Sequence, residues 1–83
     1  MAERDIVMVE WTDCNTQSRW SDRAYTKKTL RLGHCRTFGE VLDDAEDYIT
    51  VAGSVDDTND NVNSVCCIPK SAIQNVTVLK KAE

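Results

Sequence analysis

The sequence predicts a mainly β domain, a small five-stranded antiparallel barrel whose long first loop holds a short helix. Three observations carry this. Short apolar runs alternate with polar residues throughout the second half, from Thr37 to Asp43, Tyr48 to Val55, Val65 to Pro69 and Asn75 to Leu79. Turn-forming residues separate these runs. A fifth alternating run, Asp5 to Trp11, opens the chain.

In the opening run Val7, Val9 and Trp11 share one face of an extended strand, and Ile6, Met8 and Glu10 share the other. The face with Trp11 is the expected core face, because the opposite one ends in a charge. From Thr12 to Arg36 neither period is clean, and this 12–36 stretch is expected to be a long basic loop. Within it Ser21 and Asp22 are candidate caps for a helix over Arg23 to Leu32, with Gly33 as its terminator.

Further on, Val41 is expected on one strand face and Phe38 and Leu42 on the other, while Ile49, Val51 and Val55 share a face. Gly39 and Gly53 fall inside strands, where glycine marks a bulge or bend. Residues 43–47 form a polar connection, and Asp56 to Asn63 a hydrophilic hairpin tip. Pro69 cannot donate to a ladder, so the fourth strand ends there. Lys70 to Ile73 has the length of one tight helical turn before the last strand.

Eighty-three residues hold one core, so the expected organisation is a single domain over 1–83. A chain of this size buries only roughly 60–65% of its unfolded surface, which makes association through a free strand edge, a homo-oligomer, one route to stability. No apolar run approaches the ~20 residues of a membrane-spanning helix. The charged first strand does not read as a secretory signal, and four cysteines in such a chain are expected to be reduced thiols in a cytoplasm.

Charge is segregated. Residues 19–36 carry six bases against one acid, a net +5, and the other 65 residues carry four bases against 13 acids, a net −9. Arg19, Trp20, Arg23, Tyr25, Lys27, Lys28, Arg31 and Arg36 are the candidate ligand- or partner-binding residues. Arginine among aromatic rings grips phosphate and stacks on bases. The alternative is a solvated face whose bases pair with the acids of the second half.

Cys14, His34, Cys35, Cys66 and Cys67 are zinc ligands by type, yet no Cys-x-x-Cys unit occurs, and thiols packed as small apolar groups are the better expectation. The acidic tip around Asp56, Asp57, Asn59, Asp60 and Asn61 lacks the glycine and closing glutamate of a calcium loop and reads as a turn. One histidine, no nucleophile elbow and no phosphate-binding glycine loop point away from an enzyme, and no cofactor motif is present. Trp11 and Trp20 are expected to serve as core or loop anchors.

Five strands with a long first loop and a one-turn helix before the last strand resemble the Src-homology-3-like small barrels. Gly39 to Val51 followed by Val65 to Ile73 is similar to the two sequence blocks of Sm-like RNA-binding proteins, a likeness that implies an RNA-binding ring. Val9-Glu-Trp-Thr-Asp13, Trp20, Cys35 to Gly39 and Ile68 to Ile73 together resemble short proteins encoded by bacteriophages. That likeness implies a phage or prophage origin. The expectation is then a non-enzymatic phage binding module in the host cytoplasm, a counter-defence inhibitor or sequestering protein. Its partner would be a host protein or a nucleotide-like anionic molecule. The alternatives are an Sm-like RNA-binding oligomer and a minor phage structural or assembly protein.

Overall fold

A computed structural model describes residues 1–83. Five strands, β1 (Ile6–Asp13), β2 (Gly33–Asp44), β3 (Tyr48–Asp56), β4 (Asn61–Pro69) and β5 (Ile73–Lys80), form one antiparallel sheet. Their order across the sheet is β4-β3-β2-β1-β5. The helix α1 (Arg23–Thr29) lies between β1 and β2, and one 3₁₀ turn (Lys70–Ala72) joins β4 to β5. β4 and β5 are the two ends of the sheet and no ladder joins them, so the strand pairing describes an open sheet.

The predicted core face of β1 is the observed one. Val7 and Val9 are fully buried, and Trp11 packs beside them. Val41, Ile49, Val51 and Ile68 complete the core, with Cys66, Ile73 and Val76 at its margin. Cross-strand pairing explains the set: Val7 opposes Gly39 and Val78, Val9 opposes Thr37 and Val76, and Val51 opposes Val41 and Cys66. Directly opposed residues share a sheet face, so alternation on one strand selects alternation on its neighbours. Phe38 lies on the other face and is half exposed.

Gly39 is a packing requirement. A Cβ there would stand 2.5 Å from the carbonyl oxygen of Ala52 on β3. The β2–β3 register slips by one residue just beyond, between Val41 and Asp43, which bends the strand as expected of a bulge.

Several sequence expectations need correction. The loop expected over 12–36 is shorter, since β1 reaches Asp13 and β2 starts at Gly33, and β2 runs on to Asp44, which trims the 43–47 connection to 45–47. The helix stops at Thr29 instead of Leu32, because Leu30 turns extended and donates its N–H to the Thr26 carbonyl. Gly33 does not terminate it; it opens β2 opposite Asp13. The hairpin tip is only residues 57–60, since both strands run on to Asp56 and Asn61. The Asp56 carboxylate holds this tip by accepting from the Thr58 N–H at 3.0 Å and the Asn59 side-chain amide at 3.0 Å.

The molecule is extended. Its radius of gyration is 16.2 Å, against about 12 Å for a compact chain of this length. The long dimension reaches 53 Å. No helix is long and apolar enough to cross a membrane.

Candidate functional site: the basic excursion

The chain leaves the sheet at Asp13 and re-enters it at Gly33, and the excursion between holds five of the ten cations. Asp22 starts α1 by accepting the Tyr25 N–H at 2.9 Å, a cap that satisfies one free donor of the first turn. Thr26 donates its hydroxyl to Ser21 at 2.8 Å and ties the helix to the segment before it. At the other end Arg31 folds back, its guanidinium donating to the Lys27 and Leu30 carbonyls at 3.0 and 3.1 Å. Lys27 and Lys28 occupy the last turn, where cations suit the helix dipole.

The helix buries no residue and packs extensively against no strand. Seven residues are too few to hold a helix in water unaided. Its local order rests on the Asp22 cap, the Ser21–Thr26 bond and the Arg31 wrap.

A shallow hollow lies inside the excursion, lined by Gln17, Arg19, Trp20, Arg23, Thr26 and Leu30 together with Ser21. Arg19 and Arg23 border it, and Trp20 is fully exposed beside them. Tyr25 is also largely exposed. Trp20 therefore anchors neither core nor loop, contrary to expectation. Trp11 does anchor: its indole N–H donates to the Thr37 hydroxyl at 2.9 Å, linking β1 to β2.

The cations are not matched by the acidic half of the same molecule. The one ion pair in the structure joins Lys70 to Asp44 at 2.7 Å, beside the 3₁₀ turn. Arg19, Arg23, Lys27, Lys28 and Arg31 have no carboxylate partner, so intramolecular pairing does not explain them. Arg36 stands apart from this group. It sits within β2 opposite Glu10, with His34 opposite Thr12 on the same ladder. The excursion thus gathers seven of the eight candidate residues, and Arg36 belongs to the sheet.

The cysteines divide into two kinds. Cys66 packs against the core, and burial pushes its thiol above the ordinary value. Cys35 is partly buried, whereas Cys14 and Cys67 are exposed and are not packed apolar groups as expected. No three His, Cys, Asp or Glu side chains are gathered as metal ligands.

Sequence patterning did not reveal Gln17, Ser21, Thr26 and Leu30 as lining residues, since their grouping depends on how the loop folds back on α1. Only the Ser21-Asp22 capping signal hinted at the segment's shape. No family model matches the chain, and comparisons with curated proteins and solved structures return no match either.

Proposed function

We propose that this chain is a non-enzymatic binding module that works by occupancy, docking its basic excursion on an anionic partner. One observation carries the reading: five cations without carboxylate partners share with a fully exposed tryptophan one segment that packs extensively against no strand. An exposed indole that lines one hollow with two arginines favours a flat, phosphate-bearing ligand of nucleotide type, with the ring stacked on Trp20 and phosphate held by Arg19 and Arg23. The likeness to short bacteriophage proteins extends this to a phage module in the host cytoplasm that sequesters such a ligand or blocks a host protein. The strand order and the single turn before β5 support a Src-homology-3-like barrel opened between its end strands.

Calorimetry with a panel of mono-, di- and cyclic nucleotides and short RNA tests the proposal. Binding that weakens about tenfold or more in Trp20→Ala and Arg23→Ala, and falls with salt, is the expected result. Lack of heat with every ligand, unaltered by Arg23→Ala or Lys28→Ala, removes the nucleotide reading. Capture of a host protein that survives Trp20→Ala but not Lys27→Ala with Lys28→Ala transfers the site to a protein partner.

A further inference from the structure

The end strand β4 carries an independent surface. Its nine residues, Asn61 to Pro69, contain no charge. Edge strands are normally guarded by lysines, inward charges or bulges, because a bare row of N–H and C=O groups recruits another strand. β5, the opposite end, finishes with Lys80 and is followed by Lys81. β4 has none of these, and its one proline, Pro69, stands at its last position. Ser64 has a positive φ of 56°, yet the ladder with β3 keeps one register from Tyr48–Pro69 to Asp56–Asn61. The strand therefore stays continuous. Val62 and Val65 are 44% and 48% exposed upon it.

We infer that β4 pairs antiparallel with β4 of a second copy about a twofold axis at Val65, continuing the sheet across two molecules. The register is argued from what lies at the strand's ends. Asp60 precedes Asn61 and Lys70 follows Pro69. A twofold centred on Val65 sets Asn61 opposite Pro69 of the second copy, and Asp60 opposite its Lys70, at both ends. Lys70 already pairs with Asp44 but keeps its side chain 40% exposed, so a second carboxylate has access. The same register places Val65 against Val65 on one face and Val62 beside Ile68 on the core face. The strand is neutral in its middle and oppositely charged at its ends, which is self-complementary only in the antiparallel sense.

The area agrees. The isolated chain exposes 6429 Å², about 1,400 Å² more than the ~5,000 Å² of a folded monomer of its mass. The free-standing excursion supplies part of that excess. A standard interface removes about 800 Å² from each partner, less than the whole excess.

The test is mass by light scattering, in reductant because Cys14 and Cys67 are exposed. Wild type is expected at twice the chain mass. Val65→Lys and Val65→Glu place like charges across the axis, so each alone is expected at the monomer mass, and their equimolar mixture returns to the dimer. Thr77→Lys on β5 leaves the dimer intact. A zero-length carbodiimide cross-link between light and isotope-labelled wild-type chains is expected to join Asp60 to Lys70. A monomer at every concentration, a ring broken by Thr77→Lys, a dimer retained by both single-charge variants, or no link between light and heavy chains would each overturn the inference.

Discussion

The Asp5 carboxylate accepts the backbone N–H of Ala82 at 2.8 Å, across 77 positions of sequence. Its other oxygen accepts the Ala2 N–H at 2.9 Å. The Asp5 backbone takes part as well: its carbonyl accepts from Val41, and the Val41 carbonyl accepts from Arg4. One side chain thus fastens both chain ends to the start of β1 while the backbone beside it holds β2. The Ala82 and Ala2 N–H groups keep the carboxyl below its usual 3.8, because they bond to the charged form.

Stability is therefore expected to fall in acid through Asp5. A carboxyl held below its unfolded value contributes fully above pH 3.8, and that contribution is lost as pH drops through the lowered folded value. Asp5→Asn is expected to melt below wild type at neutral pH. The gap between the two stays constant down to about pH 4–5 and closes at lower pH. Asp56, also held low by Asn59 and Thr58, adds to the acid slope of both proteins and cancels in the difference. Melting curves from pH 7 to pH 2 check it, and a gap that widens in acid would refute the assignment.

Gly39→Ala is expected to destabilise the sheet by about 1–3 kcal/mol, or roughly 10 °C in melting temperature. The added methyl meets the backbone of Ala52 at 2.5 and 2.9 Å, and that backbone can retreat only by loosening the β2–β3 ladder. Gly53→Ala is the control. Its methyl would sit 3.2 Å from the Ser64 Cβ, a contact that a shift of a few tenths of an ångström relieves. Thermal melts showing equal losses at the two glycines would contradict this account.

These two positions show what the sequence could and could not reveal. Period-two alternation marked β1 and the core valines because those signals are local: each residue's face follows from its neighbours. Gly39 announced a special position but not its cause, since Ala52 approaches only after β2 and β3 pair. Asp5 gave no signal, because its partner lies at the far end of the chain. Residues 61–63, Asn-Val-Asn, read as tip by composition, although β3 recruits them into a strand. Closure of a barrel depends on whether the two end strands meet, and no alternation within a strand encodes that. In the excursion charge clustering was legible and its lack of carboxylate partners was not. That lack depends on where the acids go: Asp44 goes to Lys70, Asp5 to the termini and Asp56 to its own turn.

Trp11 and Thr37 are expected to couple. The indole N–H donates to the Thr37 hydroxyl while the ring covers the margin of the core. Thr37→Val removes the acceptor at nearly constant volume, and Trp11→Phe removes the donor. A double-mutant cycle in urea is expected to give about 0.5–1.5 kcal/mol of coupling, the value of one neutral hydrogen bond. Strict additivity would mean that the bond contributes nothing beyond what water supplies.

Asp22→Ala is expected to melt α1 and leave the sheet untouched. Loss of an N-cap costs about 1 kcal/mol of helix stability, and a seven-residue helix that buries no side chain has little in reserve. Because the excursion packs extensively against no strand, that loss does not propagate to the core. Amide exchange is expected to show residues 23–30 exchanging far faster than β1 and β3 in wild type, and near the unprotected rate in Asp22→Ala. The global melting temperature changes by less than about 2 °C, as befits a site uncoupled from the fold. A common shift of helix protection and global melting would show instead that the excursion is packed on the sheet, and its cations would then be part of the fold and not a free docking surface.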